Sequence, residues 1–417
     1  MHRLKMVLMK HWRILVDIII LCFVSTYIAS ALEVPLLFIK TTPSGGDLAS
    51  HFPTVSYLKT TLLPQGRLIG WYPGNFCGFP LFQFYFPVPF LLMVVFSWIL
   101  PLEISFKLVS ILGVFLLPLT AYGALRLMRQ KFPAPAMAAV YTLVFLFAEG
   151  NSMWGGNILS NFAGEFTFQI AFALSIFFLA SLFRNIDSNK HVIANGLLLG
   201  LIGATHGVGL LFVVTAGFFF LIWPRGIGRR LLYLGRVYAL GVGFMAFWFL
   251  PFLAGAQWST KFNLLWITEL REVFPEIFWP YLIAACAGTL IILALQFFYR
   301  KFKEQESQGI IFPLAYLGFL IFIAILLYET AYELNVVDIR FLPYAEFLPM
   351  IIAAVCLGGL ARYLRGAALL LIITTVATGI WVSTHSKQIS SWAEWNYLGF
   401  ERKETWNTFK AINDFIK

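Results

Sequence analysis

The sequence predicts an all-α integral membrane protein with about eleven transmembrane helices and a long first extracytoplasmic loop carrying interfacial helices. Two observations carry that expectation. Hydrophobic residues make up 60% of the 417 residues and charged residues only 12%, too few to cover an ordinary globular surface. Apolar runs of about 20 residues also recur from the N-terminus to Thr384. Each is long enough to cross a hydrocarbon core of ~30 Å as a helix with its backbone groups bonded internally.

The formal net charge of +10 would suit a nucleic-acid partner if it formed a stripe interleaved with aromatic residues. It falls instead in short clusters between apolar runs, so nucleic acid is set aside. Cys22, Cys286 and Cys356 lie within apolar runs and Cys77 alone falls in a long loop, a distribution that gives no disulfide framework. The first run, Ile14 to about Leu32, is too long for a signal-peptide core and lacks a small-residue cleavage site, so it reads as a retained first helix.

Cytoplasmic loops are enriched in Lys and Arg, and this bias fixes the orientation. The clusters Arg126/Arg129/Lys131, Arg184/Lys190, Arg225/Arg229/Arg230, Arg300/Lys301/Lys303 and Arg362/Arg365 all face the cytoplasm, with the N-terminus, if the runs between them cross in pairs. The expected spans are 14–32, 108–125, 133–149, 163–183, 191–206, 208–223, 231–250, 277–298, 310–328, 342–361 and 366–384. The stretch 84–100 would invert every later loop if it spanned, and Pro87, Pro89 and Pro101 punctuate it, so it reads as an interfacial or re-entrant helix. Residues 1–384 then form the transmembrane domain, with 33–107 as the first extracytoplasmic loop. Residues 385–417 form an extracytoplasmic C-terminal segment, either the start of a further domain or an aromatic interface anchor through Trp392, Trp395 and Tyr397. The expected location is the plasma membrane, with the N-terminus inside and the C-terminus outside.

Most acidic residues away from the basic clusters lie in or beside outer loops. Asp47 follows Gly45 and Gly46, which let the chain turn sharply, and His51 shares its helical face four residues on. The pair suits a base and helper, or metal ligands, while Asp47 alone equally suits the N-cap of a helix starting at Leu48. Glu165 enters a span, where it either faces a cavity or snorkels to the interface. His206 stands at an outer hairpin, as a site residue or a solvated turn residue. Arg340 lies outside against the charge bias. Its planar fork suits phosphate, and an ion pair with Asp338 or Glu346 is the plainer alternative. Asp17, inside the first span, is expected to be neutralised or to pair with Arg13 near the cytoplasmic edge.

Several segments, "GGDLASHFP", "GWYPGNFCGFPLFQFYFPVPF", "NFAGEF", "THG" and "DIRFLPYAEF", lie in order along almost the whole chain. In this the chain resembles the C-type (GT-C) polytopic membrane glycosyltransferases, in particular the branch named for a 6-pyruvoyl-tetrahydropterin-synthase-related membrane domain. The resemblance implies a catalytic carboxylate in the first outer loop, here Asp47, and a sugar donor on a polyprenyl phosphate. It further implies that Arg340, beside Asp338, meets the donor phosphate, and that His206, Glu165 and His51 line the cavity. The first loop lacks a paired-acid motif such as Asp-x-Asp, so the cofactor is unknown. A divalent metal is possible, with Asp47, His51 and His206 as its candidate ligands.

The expected activity is therefore transfer of a sugar from a polyprenyl-phosphate-linked donor to an acceptor at the extracytoplasmic face, with membrane lipid as the other partner. The alternatives are a lipid-linked substrate transporter or flippase, and a noncatalytic scaffold of the same fold. By eye the sequence shows no internal repeat of the kind transporters often carry, and its candidate groups sit at outer helix ends.

Overall fold

Residues 2–260, 265–266, 268–298 and 307–416 are described by a computed structural model of the chain. The sequence-predicted basic cluster at Arg300, Lys301 and Lys303 lies outside the described residues. Apart from one two-stranded hairpin the described fold is helical.

A first helix, α1 (His2–Ala31), leads through α2 (Val34–Leu37) and α3 (Leu48–Tyr57) into an antiparallel hairpin of β1 (Gly70–Tyr72) and β2 (Phe79–Leu81). The chain continues through α4 (Val88–Phe96), α5 (Leu102–Ser110), α6 (Leu112–Leu127), α7 (Ala134–Leu146) and α8 (Ile158–Ala163). Next come α9 (Phe166–Asn185), α10 (Val192–Thr205), α11 (Gly207–Ala216), α12 (Ile227–Gly255), α13 (Leu270–Val273) and α14 (Trp279–Phe298). The last described helices are α15 (Ser307–Thr330), α16 (Leu342–Tyr363), α17 (Ala367–His385), α18 (Ile389–Leu398) and α19 (Trp406–Ile416).

Among the described residues, 8 helical segments are long and apolar enough to cross a membrane, and each overlaps a predicted span. Three shorter apolar helices, Ala134–Leu146, Val192–Thr205 and Gly207–Leu221, coincide with the predicted spans at 133–149, 191–206 and 208–223. The burial pattern explains the short helix α7. All of its residues are buried, so it is a core helix enclosed by its neighbours, and its sequence is apolar on every face for that reason. By contrast α1, α12, α14 and α17 expose apolar faces, as shown by Ile19, Phe247, Ile283 and Ile372, and water would not tolerate so much of it. Small residues let neighbours approach: a Cβ on Gly200 of α10 would stand 2.9 Å from the Gly241 carbonyl of α12.

The stretch predicted as interfacial, 84–100, contains α4, whose 9 residues reach only about 13 Å. With α3, the hairpin and α5 it encloses a second hydrophobic core through Leu48, Leu62, Phe82, Phe90, Phe106 and Phe166. The first loop is therefore a packed body.

One expectation is corrected. Asp17 does not pair with Arg13, which lies over the Trp12 ring. It is buried toward α6, accepting a hydrogen bond from the Tyr122 hydroxyl at 2.8 Å with Arg126 at 3.7 Å, because its face of α1 meets that helix. The segment after Thr384 is anchored to the bundle at its near end. Glu149 accepts the backbone N–H groups of Lys387, Gln388 and Ile389 at the start of α18. That helix then packs beneath the first loop, where Thr41 donates to the Tyr397 carbonyl and Ser44 to the Trp395 carbonyl.

Lys107 of α5 ties these parts together. It is fully buried, and its ammonium donates to the carbonyls of Leu36, Ile39 and Tyr397 and to the Thr41 hydroxyl at 2.9–3.1 Å. Replacing it leaves those acceptors buried without a donor, so Lys107→Met is expected to destabilise this end of the bundle by about 3 kcal/mol or more. Thermal unfolding of the purified variant in detergent checks this, and an unchanged midpoint contradicts it.

Candidate functional site at the outer helix ends

Two glycine turns interlock to form the site. Gly45 and Gly46 adopt φ values of 101° and 46°, and Gly164, between α8 and α9, adopts 120°. The Asp47 N–H donates to the Ala163 carbonyl at 2.7 Å. A Cβ on Gly46 would stand 2.2 Å from that same carbonyl oxygen, and one on Gly164 would stand 2.6 Å from the Asp47 Cβ. No side chain fits at either crossing. The segments "GGD" and "AGE" are thereby pressed together, with Asp47 beside the turn that carries Glu165.

Asp47 occupies the N-cap position of α3, yet its side chain makes no capping hydrogen bond and it is exposed. The backbone follows the helical register predicted for it, with the His51 N–H on the Asp47 carbonyl at 2.9 Å. His51 turns away from the carboxylate. Its Nε2 lies 3.3 Å from the Tyr85 hydroxyl, and its ring packs against Tyr85, Phe90 and Phe166 at centroid separations of 5.2–5.5 Å. Burial in this aromatic nest lowers its pKa to about 4, so it is neutral at pH 7. A cavity of about 370 Å³ opens beside it, lined by Ser50, His51, Thr54, Tyr72 and Tyr85 among others.

Arg340 lies in the short turn Asp338–Phe341 that leads into α16. Its partner is Glu165, not Asp338 or Glu346, and it also donates to the Met153 carbonyl. Asp338 is spent elsewhere: 1% exposed, it accepts the N–H groups of Trp266 at 3.0 Å and Ile339 at 2.7 Å, fixing the turn that aims Arg340. Burial raises the Glu165 carboxyl above the usual range, Arg340 opposes the shift by charge and hydrogen bond, and Asp47 adds to it. Glu165 is therefore neither snorkelling nor isolated.

His206 is 9% exposed, so it is not a solvated turn residue. Its ring lies against Phe86 at 4.5 Å and Phe168 at 5.2 Å. Nδ1 accepts the Val208 N–H at 3.3 Å, which leaves the neutral ring's proton on Nε2.

The structure thus brings Asp47, Glu165 and Arg340 to one face at one end of the helices, with His51 and His206 on the aromatic wall behind. It does not gather Asp47, His51 and His206 as ligands: among the described residues no group of three or more His, Cys, Asp or Glu could hold a metal ion. Tyr85 was not singled out from the sequence. Burial raises its hydroxyl above the ordinary value, and the charges of Glu165, Arg340 and Asp47 all reach it. The one sequence signal was a hydroxyl-bearing ring among the phenylalanines of "FQFYFP".

Two outcomes are expected. Gly164→Ala forces a side chain into both an unfavourable φ and the Asp47 contact. It should therefore lower the unfolding midpoint and disturb the outer face together, readable as altered protease sensitivity of the first loop. For His51, a folded pKa below the unfolded value of about 6.5 means stability is full above pH 6.5 and declines as the pH falls toward 4. The loss at pH 5 is on the order of 1 to 2 kcal/mol. His51→Phe should shrink the fall in unfolding midpoint between pH 7 and pH 5, and an unaltered fall counts against this assignment.

No curated protein matches the chain significantly. A family model described as 6-pyruvoyl-tetrahydropterin synthase related domain, membrane protein, matches residues 82–386, a range that includes Tyr85, Glu165, His206 and Arg340 and begins after Asp47. That range is well over half of the sequence, and the chain belongs to the family of 6-pyruvoyl-tetrahydropterin synthase related membrane proteins.

Proposed function

We propose that the protein is a membrane glycosyltransferase of GT-C type, moving a sugar from a polyprenyl-phosphate donor to an acceptor at the extracytoplasmic face of the plasma membrane. In this reading the three shorter apolar helices cross together with the 8 longer ones, giving eleven spans with the N-terminus inside and the C-terminus outside. The observation that carries the proposal is the Asp47 carboxylate. It stands exposed beside the Glu165–Arg340 pair and is not used as a helix cap.

In the proposed reaction an acceptor hydroxyl attacks the anomeric carbon of the donor. Its proton passes to an Asp47 oxygen, the new glycosidic C–O bond forms, and the bond from the anomeric carbon to the phosphate oxygen breaks. The leaving polyprenyl phosphate takes the bonding pair and gains negative charge, which Arg340 is placed to meet. A guanidinium has five N–H groups, and the contacts to Glu165 and Met153 occupy two of them. The cavity beside His51, with tyrosine rings and the Ser50 and Thr54 hydroxyls, has the mixed wall that suits a sugar ring. No step is routed through a metal.

The second reading, a transporter of a lipid-linked substrate, draws on Glu346. It is buried within α16, and its Oε1 has no hydrogen-bond partner among the described residues. An ionisable group in such a place often marks a substrate or proton path.

One experiment separates them. The protein in nanodiscs is supplied with a radiolabelled polyprenyl-phosphate sugar, and release of the lipid phosphate is followed. Asp47→Asn is expected to reduce turnover by roughly 10²- to 10⁴-fold with donor binding retained. Arg340→Gln is expected to weaken donor binding by about 10-fold or more. Undiminished turnover in Asp47→Asn overturns its role as base. Donor movement across liposomes that survives Asp47→Asn and fails in Glu346→Gln would establish the transporter instead.

A further inference from the structure

The opposite end of α9 carries a second site. Arg184 lies 19 residues beyond Glu165 on an almost continuous helix, which places it about 30 Å away, the thickness of a hydrocarbon core. There the ends of α6, α9 and α10 surround a cavity of about 520 Å³ lined by Arg129, Arg184, Lys190 and His191, together with Asn185 and Ser188. No residue lining it is acidic. The one carboxylate in the connection between α9 and α10, Asp187, is engaged by Arg230 of α12 at 2.7 Å.

The cavity is built from fixed parts. Its floor is a buried polar chain in which Ser181 donates to Asn195, Asn195 to the Tyr233 hydroxyl, and Tyr233 to the Lys190 carbonyl, at 2.6–2.9 Å. Asn185 donates to the Ser181 carbonyl at 2.8 Å. Arg129, Asn189 and His191 are held at φ values of 59°, 53° and 56°. That region is uncommon for residues other than glycine, least so for Asn and His, and residues held there tend to cluster at functional positions. His191 also stands at the N-terminus of α10, whose first N–H groups lack helical acceptors and favour an anion.

One further wall is apolar, formed by Leu127, Phe177 and Ala194. Next to Ala194 begins the exposed apolar face of α10, with Ile193, Leu197 and Leu201 exposed by 64%, 49% and 41% at four-residue spacing. A free phosphate would use the basic groups and leave this track without a role. A phosphodiester carrying acyl chains would use both.

We propose that this cavity binds the headgroup of an anionic phospholipid, with its phosphate among Arg129, Arg184, Lys190 and the start of α10, and an acyl chain along Ile193, Leu197 and Leu201. The site does not depend on the catalytic reading of the outer face. If the topology proposed above holds, it draws on the cytoplasmic leaflet, where clustered Lys and Arg meet anionic lipid.

The test is native mass spectrometry of the full chain in detergent, titrated with phosphatidylglycerol or with phosphatidylcholine of the same acyl chains. The triple variant Arg129→Gln/Arg184→Gln/Lys190→Gln is compared with the equally charged Arg225→Gln/Arg229→Gln/Arg236→Gln. The expected result is preferential retention of phosphatidylglycerol, weakened about fivefold per charge removed from the cavity, on the order of a hundredfold for three. The control variant should leave it unchanged. Equal loss in both variants, or equal retention of the two lipids, overturns the proposal as general surface attraction. Displacement of the lipid by excess inorganic phosphate overturns the lipid as the source of the anion. Should the triple variant not fold, Ser188→Glu alone is expected to weaken phosphatidylglycerol and not phosphatidylcholine, and no difference counts against the site.

Discussion

The face that carries Asp47, Glu165 and Arg340 depends on one close approach of two backbones, the Asp47 N–H on the Ala163 carbonyl with Gly46 and Gly164 on either side. Neither turn has space for a side chain, so the separation between the first loop and the start of α9 is set by main-chain atoms. Everything charged at the site is hung from that crossing. Asp47 is carried on one turn, Glu165 on the other, and Arg340 is drawn to Glu165 from a third place in the chain. The aromatic wall behind them, Phe90, Phe166, Tyr85 and Phe86, keeps His51 and His206 neutral or enclosed and gives the acids a low-dielectric neighbour.

Around the crossing the protein spends buried polar contacts on rigidity. Asp338 holds the turn before α16, Glu149 holds the start of α18, and Lys107 holds the strand of loop before Asp47. Each of these charged groups is satisfied mainly by backbone partners, so burial is tolerated without an opposite charge in every case. These braces fix the ends of helices whose packing against one another rests mainly on apolar and small side chains.

The membrane-embedded part was legible in the sequence because hydropathy and length are local properties. Each long apolar run overlaps a described helix, though those over 108–125 and 231–250 extend well past the predicted ends, and Pro87 and Pro89 marked a helix too short to cross. The site was legible in its members and less so in its pairings. Glycines before Asp47, an acid at the head of a span and an arginine on the wrong side all flagged themselves. That Arg340 would choose Glu165, 175 positions away, over Asp338 beside it could not be read, because side-chain pairing depends on which helix ends meet. The same holds for Asp17, whose partners lie on α6 rather than one turn back, and for Lys107, which looks like an ordinary polar residue at the end of a loop. Tyr85 hid among phenylalanines, since packing and hydroxyl chemistry give the same letter pattern.

Lys107 has a consequence for how the molecule comes to exist. Its acceptors lie in residues 36–41 and at Tyr397, so the contact spans 290 positions of sequence and is complete only once the chain has been made through α18. During synthesis the first loop is made early, with a buried-type ammonium that lacks one of its four acceptors, the Tyr397 carbonyl. The geometry around Asp47 is therefore completed at the end of biogenesis, when the segment after α17 arrives and closes the loop from below. Chain order and completion differ here: a loop made directly after α1 gains its last buried contact only when α18 has been made.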